Sequence, residues 1–189
     1  MDAIMDVIMD IKQLREKLLE EHKRVCWGCL LCFPNEFFSF LEDGMRVLDV
    51  GCNVQMLKKG ILERKPHCEV YGIDIVDYSV LYPDRSDKKP DVLASGEAIP
   101  FVDKSFDFVC FIEALEHMDA EKAIKEAYRV LKPNGRLFVQ SVHKDDPAYR
   151  SDPTHMYPLD EEKMVQLLEP FRHKEVKRIR GTILAKAIK

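Results

Sequence analysis

Short apolar runs alternate with amphipathic segments from residue 45 onward, and this alternation is the most constraining feature of the chain. The clearest runs, residues 45–50, 69–74 and 106–112, are six or seven residues long and rich in apolar side chains. Runs of this length and character are typical of buried strands in a parallel sheet, where helices cover both faces. The alternation therefore predicts an α/β fold with a doubly wound, mostly parallel sheet.

The remaining elements follow from the same pattern. A weak strand is expected at 91–94, and a fifth strand at 136–142. Two strand-like segments on either side of Gly181 predict an antiparallel hairpin, and so an antiparallel edge to the sheet. The expected helices span 54–64, 119–131 and 159–169, and the expected hairpin strands span 174–180 and 182–188.

Residues 1–41 are expected to form an N-terminal helical lid or extension, and residues 42–189 the main domain. Isoleucine and leucine recur at helical spacing between residues 2 and 24, which indicates an amphipathic helix. A cluster of soft side chains follows at metal-ligand spacing: His22, Cys26, Cys29 and Cys32. This cluster would make the chain a metal- or redox-linked protein, but small thiols are also readily buried in an apolar lid, and both interpretations stay open. We assign no metal ligands elsewhere.

Composition narrows the class of protein. A formal net charge of −4, with 46% hydrophobic and 33% charged residues, is typical of a globular protein and not of a general polyanion binder. The basic segment 172–189 has no aromatic platform, which disfavours nucleic acid as a partner. No apolar run approaches the roughly 20 residues of a membrane span, and the first residues lack a signal peptide's pattern. Six cysteines without a secretory signal indicate reduced thiols, so we expect a cytoplasmic location. We also expect a monomer or a homodimer.

Polar residues follow each predicted strand where it ends. Asp49 and Asn53 flank the end of the first strand, Asp74 ends the second, and the segments 95–97 and 113–117 follow the third and fourth. In an open parallel sheet, ligands bind beyond the carboxyl ends of the strands. An acidic side chain at the end of the second strand can accept hydrogen bonds from both ribose hydroxyls of a nucleoside. The sequence therefore predicts a nucleoside-binding edge.

Five segments occur in an order that resembles a known family: Val47–Cys52, Gly96–Phe101, Ser105–Val109, Ala114–His117 and Arg129–Leu137. Together they resemble the class I methyltransferases that use S-adenosylmethionine, in particular the small-molecule group close to the ubiquinone-biosynthesis enzymes. The resemblance covers roughly residues 45–142. It implies a Rossmann-like fold, S-adenosylmethionine as the cofactor, and methyl transfer to a small-molecule acceptor.

The same resemblance implies a role for the residues at each strand end. Those after the first strand would face the methionine part of the cofactor, and those after the second would hold the ribose and pack on the adenine. Those after the third would line the adenine edge, and those after the fourth would close the pocket. The implied cofactor-binding residues are Asp49, Gly51, Cys52, Asn53, Asp74, Ile75, Ser95, Gly96, Glu97, Phe111 and Ile112.

Methyl transfer needs few catalytic side chains, because the sulfonium of the cofactor is already an activated electrophile. The enzyme must align the acceptor and exclude water, and a general base is needed only where the acceptor carries a proton. His117 and Glu113, after the fourth strand, are the candidate catalytic residues, with His143 and His155 as further candidates. The long polar segment 143–158 is expected to help bind the acceptor.

The first loop departs from the family's pattern. It reads Gly51-Cys52-Asn53-Val54-Gln55, whereas the family normally has glycine at the first, third and fifth of these positions. Asparagine tolerates a positive φ better than most residues, but glutamine does not. Two hypotheses stay open: the loop binds the cofactor in a modified way, or the chain is a catalytically degenerate binding or regulatory protein.

Overall fold

The structure is a computed structural model and describes residues 34–77 and 89–189. One sheet lies at the centre of these residues. The predicted helix at 2–24 and the cysteine cluster lie outside the described residues. The strands are β1 (Arg46–Val50), β2 (Glu69–Asp74), β3 (Val92–Leu93), β4 (Phe106–Ile112), β5 (Leu131–Val142), β6 (Arg172–Ile179) and β7 (Thr182–Ile188).

The strands lie in the order β3-β2-β1-β4-β5-β7-β6. Neighbours among β1 to β5 are parallel, whereas β7 is antiparallel to both β5 and β6. The direction of winding reverses at β1, which lies between β2 and β4, and ligands of doubly wound sheets bind at such a switch point. The predicted fold class, a Rossmann-like, mostly parallel sheet with a C-terminal antiparallel hairpin, is confirmed.

Five helices accompany these strands in the described residues. They are α1 (Pro34–Phe40), α2 (Met56–Arg64), α3 (Ala120–Val130), α4 (Pro147–Ser151) and α5 (Glu161–Leu167), and a single 3₁₀ turn covers Leu115–His117. Asp119 and Asp160 begin α3 and α5, because each carboxylate accepts a hydrogen bond from the backbone N–H three residues later.

Two boundaries differ from the predictions. Helix α3 ends at Val130, and β5 begins at once with Leu131, five residues before the predicted strand. The reason is that Leu131 pairs with Phe106 before the register shifts to Phe108 and Arg136. Helix α4 lies within the segment 143–158, where a five-residue helix is too short to leave a periodic pattern.

Aromatic side chains from the sheet form much of the core. Phe106, Phe108 and Phe111 on β4 and Phe138 on β5 are all fully buried. A buried aromatic ring removes roughly 150–250 Å² of surface from water, so these rings stabilise the central strands. Within residues 34–77 and 89–189, no helix is long and apolar enough to cross a membrane. The cytoplasmic location and the oligomeric state stay predictions.

Helix α1 packs on the sheet through Phe37. This ring lies edge-on to Phe108 and Phe138, with centroids 5.3 and 5.0 Å away, and is 4% exposed. Glu36 on the same helix pairs with Lys177 of β6 and Lys186 of β7, and the two ammonium groups lower the pKa of its carboxyl. Glu36 and Phe37, which the sequence places in the predicted extension, thus contact the sheet.

Phe37→Ala should destabilise the protein by about 3 kcal/mol, because it removes a buried aromatic ring and leaves a cavity against two others. Urea denaturation measures the free energy of unfolding. The exposed neighbour Ser39 provides the control, since Ser39→Ala should change that free energy by less than about 0.5 kcal/mol. Equal effects of the two substitutions would contradict the packing of α1 on the sheet.

Candidate functional site

The loop after β1 is fastened to the end of β2. The backbone N–H groups of Gly51 and Cys52 both donate to the carbonyl oxygen of Ile73, at 2.9 and 3.0 Å. The N–H of Asn53 donates to Oδ2 of Asp74 at 2.9 Å. The structure thus brings Gly51, Asn53 and Asp74, which the sequence places at two successive strand ends, into one site at the switch point of the sheet.

Every second residue of this loop, from residue 51 to residue 55, has a left-handed backbone conformation. Gly51, Asn53 and Gln55 have φ values of 80°, 48° and 56°. These are the three positions at which the family's pattern has glycine, so the loop keeps the backbone shape that the pattern requires. At Gly51 a side chain is also excluded by space, because a Cβ would lie 2.5 Å from the Cβ of Ala114.

Hydrogen bonds hold Gln55 in its unfavourable conformation. A left-handed backbone costs a non-glycine residue about 1–2 kcal/mol. The N–H of Gln55 donates to the carbonyl of Cys52 at 2.8 Å, and its side-chain amide donates to the carbonyl of Lys89. Each such bond contributes about 1 kcal/mol, which offsets the backbone cost.

Gly72 of β2 provides the space for this loop. A Cβ at Gly72 would lie 2.7 Å from the Cys52 Sγ and 3.6 Å from the Gln55 Cδ. The side chains of Cys52 and Gln55 therefore lie along β2, where the absent side chain leaves room for them. Cys52, Cys68 and Cys110 are all buried, which confirms the prediction that they are core thiols.

The Asp74 carboxylate is oriented by two backbone groups. Its Oδ2 accepts from the N–H of Asn53, and its Oδ1 accepts from the N–H of Val76 at 3.0 Å. Each carboxylate oxygen keeps a second lone pair, so the group can accept two further hydrogen bonds. The next residue, Ile75, is 72% exposed and presents an apolar surface beside the carboxylate.

Asp49 of β1 is a buried carboxyl group at the same edge. It is 3% exposed, and in the described residues no lysine or arginine lies within 4.0 Å of it. Burial raises its pKa to about 7, and the negative charge of Asp74 adds to the rise, whereas a weak hydrogen bond from the Cys110 thiol opposes it. Such a group gains most from a ligand that brings a positive charge.

The segment after β3 approaches the end of β1 closely. A Cβ at Gly96 would lie 2.7 Å from Val50 and 2.8 Å from the sulfur of Met118, so the approach requires glycine. Ser95 accepts the N–H of Glu97 at 3.1 Å, and Glu97 in turn accepts the N–H of Asp119 at 2.9 Å. These contacts fix the third strand end beside the other two.

Two carboxyl groups, those of Glu113 and Glu116, follow β4. Within that strand, Phe111 is fully buried and Ile112 is half-buried. Glu113 accepts a hydrogen bond from the Gln140 amide at 2.9 Å, and Glu116 accepts one from the Ser141 hydroxyl at 2.7 Å. Burial and the neighbouring Glu116 raise the pKa of Glu113 to about 8.

The histidines of the site divide into two groups. The rings of His117 and His155 lie together, with centroids 4.6 Å apart. His143 is 2% exposed and contacts Glu161 of α5 at 3.0 Å instead. The structure thus joins His117 to His155, across the turn after β4 and the segment 143–158, and separates His143 from them.

Glu116 and Gln140 are the site residues that the sequence analysis missed. Both are at most 2% exposed, and a buried polar side chain looks like an exposed one in a single sequence. The available signal was position: Glu116 directly precedes the candidate His117, and Gln140 lies on the strand next to β4.

Comparison with known proteins identifies the domain. Residues 48–139 match the family model described as a methyltransferase domain. The chain is similar to a ubiquinone/menaquinone biosynthesis C-methyltransferase of an Enterobacter species, with 36% identity over 73% of this chain and 51% of that one. It is also similar to a sterol 24-C-methyltransferase of Aspergillus fumigatus, with 35% identity over 61% of this chain and 32% of that one. The chain thus spans about half or less of the length of these relatives.

Solved structures share the fold. A possible histamine N-methyltransferase from Thermotoga maritima, described as S-adenosylmethionine-dependent, superimposes with a TM-score of 0.67 at 19% identity, covering 92% of this chain and 97% of that one. A similarly described methyltransferase from Archaeoglobus fulgidus gives 0.66 at 18% identity, covering 93% and 94%. At these identities the likeness shows the fold alone.

Asp49→Asn should remove part of the fall in the free energy of unfolding that accompanies rising pH. In the folded chain this carboxyl keeps its proton up to about pH 7, whereas in the unfolded chain it ionises near 3.8. The unfolded state therefore binds fewer protons between these values, and stability falls as pH rises, by at most about 1.4 kcal/mol per pH unit. The asparagine variant lacks this contribution.

Urea denaturation of both proteins at about pH 4.5 and about pH 7.5 measures the effect. The free energy of unfolding of the variant should rise relative to the parent between these two pH values. An equal difference at both would contradict an uncompensated buried carboxyl group at residue 49.

Proposed function

The chain belongs, through residues 48–139, to the class I S-adenosylmethionine-dependent methyltransferases, and on that premise we propose that it transfers a methyl group from this cofactor to a small-molecule acceptor. The observation that carries the proposal is the joined end of β1 and β2. There the left-handed loop 51–55 is fastened to the Asp74 carboxylate and leaves lone pairs of that group available.

The donor set fits the cofactor. Asp74 offers its remaining lone pairs to the two ribose hydroxyls, and the exposed Ile75 offers an apolar surface to the adenine. The buried Asp49 would face the ammonium group of the methionine part, which supplies the positive charge that this carboxyl lacks. Ser95, Gly96 and Glu97 would line the adenine edge. When bound, the cofactor supplies a methyl group that its sulfonium has already activated.

The acceptor would bind near the end of β4, opposite the segment 143–158. Glu113 is the proposed base, because its raised pKa lets it exchange a proton near neutral pH, and Gln140 holds its carboxyl group in place. His117 is the second proposed residue. The chain's own contribution is to align the acceptor and exclude water, which can supply several kcal/mol.

Asp74→Ala should weaken binding of S-adenosylhomocysteine at least about tenfold, because the ribose loses hydrogen bonds to a charged acceptor. Isothermal titration calorimetry measures the affinity, and circular dichroism checks that the variant is folded. Asp74→Asn should weaken binding less, since its amide oxygen still accepts the N–H of Asn53.

The exposed Glu162 gives the matched control, and Glu162→Ala should leave the affinity unchanged. If Asp74→Ala also binds the ligand as tightly as the parent does, Asp74 does not hold the ribose. If the parent protein shows no binding at millimolar ligand, the proposed function is wrong.

Replacing both Asn53 and Gln55 by glycine should change the affinity for S-adenosylhomocysteine by less than about threefold. The reason is that both residues already have the left-handed backbone that glycine would adopt. Gly51→Ala, in the same loop, should instead weaken binding strongly, because its Cβ would overlap Ala114. A gain of about tenfold or more in the double glycine variant would favour the alternative, a catalytically degenerate binding protein.

A further inference from the structure

The segment 94–105, which joins β3 to β4, lies at the adenine edge of the proposed site and contains no helix or strand of its own. It includes Gly96, which approaches the end of β1 closely. Backbone N–H and C=O groups that belong to no helix or strand need other hydrogen-bond partners. The position of this segment therefore depends on the side chains that bond to it, and several of those side chains belong to α3.

Arg129 and Glu126 of α3 bond to both backbone groups of Ile99. The N–H of Ile99 donates to Oε2 of Glu126 at 2.9 Å, and its carbonyl oxygen accepts from Nη2 of Arg129 at 2.8 Å. The two side chains also pair with each other, because Nε and Nη2 of Arg129 donate to the two carboxylate oxygens of Glu126 at 2.8 Å each. This bidentate pairing fixes the orientation of both charged groups.

Arg129 contacts the segment at two further points. Its Nη1 donates to the carbonyl oxygen of Phe101 at 2.8 Å and to Oδ1 of Asp103 at 2.7 Å. A guanidinium group has five N–H donors, and the bonds to Glu126, Ile99, Phe101 and Asp103 use all of them. The bonds to Glu126 and Asp103 raise the pKa of Arg129, and the guanidinium lowers the pKa of Glu126. Both groups of the pair therefore stay charged at neutral pH.

The other end of α3 contacts the same segment. Oε1 of Glu97 accepts the N–H of Asp119, the residue that begins α3, at 2.9 Å. Between the two ends, the side chain of Ile99 is 3% exposed and packs in the hydrophobic core. The segment is thus bonded to α3 from Asp119 to Arg129, and these bonds set where residues 95–97 lie relative to β1.

We propose that Arg129 and Glu126 are positioning residues that set the selectivity of the site for an adenine base, an inference that rests on the proposed function. Neither side chain would touch the base. They hold Ile99, just beyond residues 95–97, which line the adenine edge in that proposal.

The chemistry of the base explains why the position of this segment matters. Adenine has a 6-amino group that donates hydrogen bonds and an N1 that accepts one. Hypoxanthine has a carbonyl oxygen and an N–H at the same two positions. A site whose polar groups are fixed separates the two bases, because the wrong base leaves buried groups unpaired, and a displaced segment separates them less well.

Isothermal titration calorimetry with S-adenosylhomocysteine and S-inosylhomocysteine tests this role. The two ligands differ only in the base, so the ratio of their affinities measures base selectivity. We expect the parent to prefer the adenine ligand about tenfold or more. Arg129→Ala should reduce this ratio at least about threefold, and Arg129→Lys should reduce it too, because one ammonium group cannot replace five fixed donors. Glu126→Gln should reduce it less, since its amide oxygen can still accept the N–H of Ile99.

Amide hydrogen exchange reports on the segment without a ligand. The N–H of Ile99 should exchange at least about tenfold faster in Arg129→Ala, because Glu126 is no longer held beside it. Circular dichroism checks that each variant is folded, and Arg129→Lys and Glu126→Gln carry the test if Arg129→Ala does not fold. The exposed Lys125 of α3 gives the matched control, and Lys125→Ala should change neither the exchange rate nor the affinity ratio.

The outcomes separate this inference from the proposed function. A parent without preference for adenine, an unchanged exchange rate at Ile99, or equal loss of affinity for both ligands in the Arg129 variants would overturn the inference and leave the proposed function standing. Equal loss would mean that Arg129 only stabilises the fold. If the parent binds neither ligand at millimolar concentration, the proposed function is wrong, and the base selectivity assigned to Arg129 and Glu126 is wrong with it.

Discussion

The hydrogen bond from the N–H of Asn53 to the carboxylate of Asp74 is the contact on which the site depends. It joins the end of β1 to the end of β2 at the switch point of the sheet, and it both shapes the loop 51–55 and aims the carboxylate. The loop and the carboxylate therefore form one unit, in which the hydrogen bond to Asp74 helps to hold a residue other than glycine at position 53.

Poorly solvated carboxyl groups are the second organising property of this edge. Asp49 and Glu116 are buried and Glu113 is half-buried, and desolvation raises the pKa of each. A protein keeps such groups at a cost in stability, and ligands that bring positive charge recover that cost. The ammonium group of S-adenosylmethionine suits Asp49, so the proposed cofactor supplies the positive charge that this carboxyl lacks.

Local patterns predicted most of the fold but less of the site. The observed limits of β2 and β4 coincide with the predicted apolar runs, because a strand that is buried on both faces is rich in apolar residues along its length. The start of β5 was missed because a parallel pairing with Phe106 extends it, and that contact is not local.

Within the site, topology predicted that Asn53 and Asp74 would lie at the same edge, since the carboxyl ends of parallel strands share it, but the hydrogen bond between them was not predicted. The choice between His143 and His155 depended on the path of the segment 143–158. Both histidines are equally plausible in the sequence, but a contact with Glu161 directs His143 away. Gln55 was expected to disturb the loop, whereas its bond to the distant Lys89 carbonyl, which no local pattern reveals, holds it in place.

A crystal structure of the full chain with S-adenosylhomocysteine tests the central claim most directly. The account predicts the ribose hydroxyls within about 3 Å of the Asp74 carboxylate, with Asn53 and Gln55 still left-handed and the Asn53 N–H still bonded to Oδ2 of Asp74. A ligand bound elsewhere, or a loop that must release Asp74 before the ligand can bind, would contradict it.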